Sequence, residues 1–120
     1  MQGHAMVTTF ERMKLNPKQA EFLKEIQNSE GKALELDDVR ISAIGLSKDD
    51  NEVATGKLTT GFGARGRGDK IGPEYTFGIY MNKALKEPIL IIKTAWGGKS
   101  LYQDFRSPSA GVFKLDVWEY

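Results

Sequence analysis

The residues best suited to chemistry lie in one run, Ala95-Trp96-Gly97-Gly98-Lys99-Ser100. A bulky aromatic followed by two glycines lets backbone N–H groups come close to a bound group while the indole walls the pocket, as an oxyanion hole requires. The same spacing suits a tight strand-to-loop turn with a packed Trp, and spacing alone does not choose between the two. Gly98-Lys99-Ser100 has the ending of a phosphate-binding loop, but that loop needs a glycine five residues before Gly98, where Lys93 stands. Gly61-x-Gly63-x-x-Gly66 has the spacing of a dinucleotide fingerprint. The polar Lys57-Leu58-Thr59-Thr60 precedes it and more glycine comes after it, which favours a flexible loop over a cofactor cradle.

The other candidates are weaker. Arg65, Arg67 and Phe62 have the composition of an RNA-touching arginine-glycine segment, and Arg67-Gly68-Asp69 is a tripeptide that adhesion receptors read, but both patterns are short enough to arise by chance. His4 is the single histidine, so any histidine-dependent proton transfer within these residues must use it, although a lone histidine is more often a bystander than a base. There is no Gly-x-Ser-x-Gly elbow, and Ser100 has no base that the spacing identifies.

The Trp-Gly-Gly run needs strands and helices to position it. Asn16-Pro17 combines a capping side chain with a proline at the first helical position, and Phe22, Leu23 and Ile26 form an apolar stripe, predicting a helix that Gly31 ends. Val39 to Ile44 alternates Val39, Ile41 and Ala43 against Arg40 and Ser42, predicting a short, half-buried, peripheral strand. Gly45 to Asp69 is polar and glycine-rich and predicts a long exposed loop. Pro73 opens a second helix with a buried stripe of Phe77, Tyr80, Met81, Ala84 and Leu85, and Pro88 forbids its continuation. Ile89 to Thr94 is a continuous apolar run rich in β-branched residues, predicting a strand covered on both faces as in a parallel sheet flanked by helices. The Trp-Gly-Gly run then falls at the carboxyl end of a buried strand, where open α/β sheets hold their ligands. Met1 to Phe10 shows neither cap nor period, and the stretch from Ser107 to Tyr120 gives no clear element.

Composition narrows the function classes. With 120 residues, 40% hydrophobic and 28% charged, the chain fits one α/β domain or a large piece of one. Seventeen basic against sixteen acidic residues leave a net charge of +1, without the surplus that neutralises phosphates, so no nucleic-acid partner is expected. The lack of cysteine excludes disulfides, thiolate zinc sites and a cysteine nucleophile. The longest apolar run, Ile89 to Ile92, is far short of the roughly 20 residues that span a bilayer, and Met1 to Phe10 lacks the apolar stretch of a signal peptide. A soluble chain with no membrane partner, no export address and no cofactor is therefore expected.

Three segments together carry a family resemblance. Glu87 to Leu101 followed by Asp104-Phe105-Arg106-Ser107-Pro108-Ser109 resembles the middle block of the sialate O-acetylesterase-like carbohydrate esterases, serine esterases of the SGNH type. Gly72-Pro73-Glu74-Tyr75-Thr76-Phe77-Gly78 resembles that family's Gly-Pro-Glu helix, at the usual distance before the strand. Met1-Gln2-Gly3-His4-Ala5 is similar to the segment immediately after the family's Gly-Gln-Ser-Asn nucleophile block. One departure is that Ser107 stands where the family has a proline, and Ala110 to Lys114 drifts from its pattern.

The resemblance implies a partial three-layer, flavodoxin-like domain over residues 1–120. The nucleophilic serine is expected just before Met1, and the family's Gln-Gly-Glu and Asp-x-x-His blocks find no counterpart before Tyr120. It implies hydrolysis of acetyl esters on sugars through a serine acyl-enzyme, with a histidine base oriented by an aspartate. No triad member is in the chain, which alone is expected to be inactive. Gly98, and less directly Gly97, would offer the oxyanion N–H, and Gln2, Trp96, Lys99 and Ser100 would line a pocket for the acetylated carbohydrate. The alternative reading is a non-catalytic carbohydrate-binding or interaction module derived from that fold. Family members are often secreted or periplasmic. A missing central strand would leave an unpaired edge beside Ile89 to Thr94, so self-association is expected.

Overall fold

The computed structural model describes residues 3–46, 52–64 and 69–112. In chain order its elements are β1 (Ala5–Met6), α1 (Thr9–Met13), α2 (Pro17–Ile26), β2 (Leu36–Ile44), β3 (Val53–Leu58), β4 (Lys70–Ile71), α3 (Pro73–Leu85) and β5 (Ile89–Thr94), with a 3-10 turn at Pro108–Ala110. The strands form two sheets. One is the small antiparallel pair β1–β4; the other has the order β3-β2-β5, with β2–β3 antiparallel and β2–β5 parallel. The chain is thus a mixed α/β structure.

The caps read from the sequence form these helices. Asn16 Oδ1 accepts from the Lys18 N–H at 3.0 Å, satisfying one of the orphan donors at the start of α2, and Pro17 occupies a helical position that needs no N–H. Leu23 and Ile26 enter the core, whereas Phe22 of the expected stripe stays exposed. α2 ends at Ile26 rather than at Gly31. Gln27 is already extended, and Gly31, with φ +75°, serves a separate turn in which Asn28 Oδ1 accepts from the Glu30 and Lys32 N–H groups.

β2 is not the short peripheral strand expected. It is nine residues long and is the middle strand of its sheet, running Val39 against Ile89 through Ile44 against Thr94 on one side and Arg40 against Lys57 through Ile44 against Val53 on the other. Its alternation is as read, with Val39, Ile41 and Ala43 buried and Arg40 exposed. The expected long loop also needs correction. Val53 to Leu58 returns along β2 as a hairpin strand, because this pairing satisfies its backbone and takes Leu58 fully out of water. The expected Arg65 and Arg67 contacts lie outside the described residues, as does Phe113 onward.

One core lies between the helices and one face of the β3-β2-β5 sheet, built from Phe10, Leu23, Ile26, Val39, Ile41, Ala43, Leu58, Tyr75 and Ile79. α3 meets it through a different face from the one its apolar residues suggested. Tyr75, Gly78 and Ile79 point inward, while Phe77, Tyr80 and Leu85 are 54%, 42% and 52% exposed. The reason is Gly78: a Cβ there would overlap Leu58 Cδ2 and lie 3.0 Å from Ile91 Cδ1 and 3.4 Å from Val39 Cγ1, so the helix backbone itself rests on side chains of all three strands. No larger residue of the expected stripe could come so near. β5, likewise, is covered on one face only among the described residues; Leu90 and Ile92 on the other are 63% and 72% exposed.

Tyr75 fixes α3 against α2. Its ring is fully buried, and its hydroxyl donates to the Ile26 carbonyl at 2.7 Å, with the Leu34 carbonyl 3.2 Å away. Burial pushes the phenol up from 10.0 to about 12, partly offset by the Leu34 carbonyl contact.

Both contacts can be tested by unfolding. Gly78→Ala should destabilise by about 1–3 kcal/mol in urea, because overpacking against Leu58 outweighs the ~1 kcal/mol gained in helix propensity. For Tyr75, the neutral phenol is the form favoured in the fold, so its contribution is fully present below pH 10 and is lost as pH rises toward 12. Tyr75→Phe should therefore cost about 1 kcal/mol at neutral pH and flatten the loss of stability between pH 10 and 12 seen in wild-type melts.

Candidate functional site

β2 and β5 run parallel and end together, Ile44 beside Thr94, and both then turn over the same edge. Gly45 leaves β2 with φ +84°, and a Cβ at this position would sit 2.6 Å from the Ala95 carbonyl oxygen and 2.9 Å from the Trp96 ring. The indole of Trp96 therefore lies against the end of β2, half-buried, and on its other side meets Phe105 at 5.4 Å between ring centroids with the planes 46° apart, a tilted aromatic pair. Trp96 is thereby fixed by packing, in the position the sequence assigned to it.

Gly97 and Gly98 then form an exposed turn. Gly98 has φ +71°, a left-handed conformation that suits glycine, and open space surrounds the position of its absent Cβ. Lys99 and Ser100 are tied into the next turn. Lys99 Nζ lies 3.3 Å from Asp104 Oδ1, the Ser100 N–H donates to Asp104 Oδ2 at 2.7 Å, and Ser100 Oγ accepts from the Gln103 N–H at 3.1 Å. The Ser100 N–H, and after it the Lys99 ammonium, hold the Asp104 carboxyl below its usual value. Ser100 Oγ thus caps a turn; among the described residues nothing prepares it as a nucleophile. The structure brings Trp96, Gly97, Gly98, Lys99 and Ser100 into one strand-end loop. Gln2 lies outside the described residues. His4 is exposed and immediately precedes β1.

Beneath this loop is an ion pair the sequence reading missed. Lys93 Nζ lies 2.8 Å from Glu74 Oε2, both side chains being over nine-tenths buried, and also donates to the Phe62 carbonyl. The second Glu74 oxygen accepts from the Gly72 N–H at 2.9 Å, so the carboxylate also serves the N-terminus of α3. Three segments are joined at one point: the end of β5, the start of α3 and the turn after β3. A hollow of about 250 Å³ opens here, lined by Pro73, Glu74, Ile91, Lys93, Thr94 and Ala95. The signal in the sequence was a single lysine inside an otherwise apolar strand, a residue almost never buried unless it is paired.

A larger hollow of about 500 Å³ lies away from these strand ends, against α2, and the two lysines on its wall, Lys14 and Lys24, are paired with Glu11 and Glu21. Among the described residues there is no group of three or more His, Asp or Glu able to hold a metal ion, and no helix long and apolar enough to cross a membrane. No family model matches the sequence, and no curated protein or solved structure matches it significantly. The site is therefore defined by its geometry alone, an aromatic wall and an exposed Gly-Gly turn at the carboxyl ends of two parallel strands.

Removing one partner of the buried pair leaves the other charge uncompensated. Lys93→Met should destabilise by about 3–5 kcal/mol in chemical denaturation, whereas Lys93→Met combined with Glu74→Leu should recover at least half of that loss. An additive double variant would show that the two charges are not coupled.

Proposed function

We propose that these residues form one side of the substrate pocket of a carbohydrate O-acetylesterase of the sialate O-acetylesterase-like type, with the nucleophilic serine supplied from outside the 120 residues. In this reading the serine attacks the acetyl carbonyl, a histidine takes its proton, and the negative charge that develops on the carbonyl oxygen meets the Gly98 N–H, with Gly97 the second choice. Trp96 walls the sugar or acetyl side, and Gln2, Lys99 and Ser100 complete the rim. The full domain would be a three-layer, flavodoxin-like α/β sandwich, with a second helical layer over the face of β5 that carries Leu90 and Ile92.

The observation that supports this reading best is the position of Gly97 and Gly98. Backbone donors at the carboxyl ends of parallel strands stand where α/β enzymes gather charge-stabilising groups. The left-handed Gly98 turns its peptide in a way a larger residue would resist by about 1–2 kcal/mol. The two sequence blocks around the Gly-Pro-Glu helix and the Trp-Gly-Gly loop agree with it, and β5 at the edge of its sheet leaves room for a neighbouring strand.

Acetate release from an O-acetylated sugar tests the reading. The 120 residues alone should give no release above the buffer rate. The same chain extended through a Gly-Gln-Ser-Asn segment before Met1 and an Asp-x-x-His segment after Tyr120 should hydrolyse the ester, and Gly98→Ala in that protein, which strains the left-handed turn and turns its N–H off the oxyanion, should lower kcat by up to roughly 10²-fold, the size of one lost oxyanion donor. An inactive extended protein would remove the esterase assignment; if the 120 residues then bound the acetylated sugar in calorimetry, they would be a sugar-binding module.

A further inference from the structure

The hollows on this surface differ in what their polar groups have left to bind. In the one against α2, Lys14 and Lys24 are paired with Glu11 and Glu21, the Gln27 amide donates to the Gly31 carbonyl, and Asn28 Oδ1 accepts from the Glu30 and Lys32 N–H groups. In the one beneath the strand-end loop, Glu74 and Lys93 hold each other. A third, of about 370 Å³, opens between α1, the turn from Gln27 to Ala33, the end of β3 and the start of β4. Glu11, Gln27 and Lys32 on its wall are engaged with Lys14, the Gly31 carbonyl and Glu30. The hydroxyls of Thr59 and Thr60 and the carboxylate of Asp69 are not: among the described residues none of these side chains makes a hydrogen bond or an ion pair.

Their backbones are nevertheless fixed. Thr59 and Thr60 lie between Leu58, which is fully buried, and Gly61, whose N–H donates to the Lys70 carbonyl at 3.0 Å. Asp69 precedes β4, and its carbonyl accepts from the Val7 N–H at 3.1 Å, continuing the β1–β4 pairing of Met6 with Lys70. Gln27 bridges Ala33, so the turn on the wall is held as well. Groups held in place before a ligand arrives lower the ordering cost of binding it.

The chemistry left open narrows the ligand. Asp69 only accepts hydrogen bonds, while each threonine hydroxyl both donates and accepts. An anion would meet the Asp69 carboxylate, and Lys32, the cation on this wall, already faces Glu30. A calcium ion takes about six to eight oxygen ligands, for which one unpaired carboxylate and two hydroxyls are too few. An apolar ligand would take water from all three groups and return no hydrogen bond. A ring with adjacent hydroxyls meets every requirement. Two of them donate to the two oxygens of Asp69, others exchange hydrogen bonds with Thr59 and Thr60, and the C–H face rests on Val7 and Ala33, which are half-buried in the wall. The volume lies at the small end of the range for ligand pockets, about 300–1,000 Å³, and suits a single ring.

We infer that this hollow is a binding site for a neutral polyhydroxy ring, a monosaccharide or a cyclitol, recognised by Asp69, Thr59 and Thr60. The inference is independent of the esterase reading, since no residue of the Trp96–Ser100 loop lines this hollow.

Amide NMR spectra of the 120-residue chain, titrated with D-galactose, D-glucose and myo-inositol, test it. At least one of the three should shift the amides of Thr59, Thr60, Asp69 and Lys32 saturably, with a Kd on the order of 1 mM, ordinary for a ligand of about a dozen heavy atoms. A response to the hexoses or to myo-inositol tells a monosaccharide site from a cyclitol site. Asp69→Asn should weaken binding roughly tenfold, and Thr59→Val combined with Thr60→Val by about as much. All three positions are half-buried or exposed, so circular dichroism should be unchanged. Sodium phosphate and calcium chloride should leave the same amides in place. No saturable shift with any of the three ring compounds, shifts confined to other residues, an affinity unaltered in both variants, or a stronger response to phosphate or calcium than to the rings would each overturn the site.

Discussion

The position of Gly78 governs the arrangement of the rest of the structure. Leu58 from β3, Val39 from β2 and Ile91 from β5 converge on one residue without a side chain, so a single short distance between helix and sheet fixes the relation of all three strands to α3. That closeness decides which way the helix is turned: Tyr75 and Ile79 must face the sheet on either side of the glycine, and Tyr75 then reaches the Ile26 carbonyl at the end of α2. The remaining apolar residues of α3 are turned outward as a result. Packing at one point thus leaves an apolar ridge in solvent.

The buried Glu74–Lys93 pair belongs to the same contact. It anchors the start of α3 to the end of β5, and its third partner, the Phe62 carbonyl, draws in the turn after β3. Burying two charges is expensive, and its value in stability is often no greater than that of an apolar pair of the same volume. The pair's contribution is to hold β5, α3 and the turn after β3 together at one buried point, just before the strand end that leads into Ala95 and Trp96, where Gly45 allows the indole to settle against β2.

Much of this was legible in the sequence wherever the signal was local. Asn16-Pro17 and Pro73 started helices as their chemistry requires, Pro88 separated α3 from β5, and the alternation of Val39, Ile41 and Ala43 marked the buried side of β2 correctly. The failures depended on partners outside the segment itself. β3 contains Gly56 and Lys57 and gives little sign of a strand; it becomes one because β2 offers an open edge nine residues long. β2 looked peripheral because its central place depends on β5, far along the chain. The apolar spacing of Phe77, Tyr80 and Leu85 is real, but hydrophobicity alone cannot reveal that closeness at Gly78 would outrank it. At the site, the strand-end position of Trp96, Gly97 and Gly98 could be read; the engagement of Ser100 by Asp104 and Gln103 could not.

The central strand also has a kinetic meaning. β2 meets β3 through a hairpin, Ile44 facing Val53 across a short connection, but meets β5 at a sequence separation of 50 from Val39 to Ile89 (89 − 39 = 50). The entropy lost on closing a loop grows with its length, and non-local parallel pairing is slow for that reason. The hairpin can therefore assemble early, while β5 joins only when a far larger loop closes. Until then, the edge of β2 that will receive β5 is open to any extended chain nearby, so this fold is most exposed to misassociation during its last step, when the strand carrying the candidate site has yet to arrive.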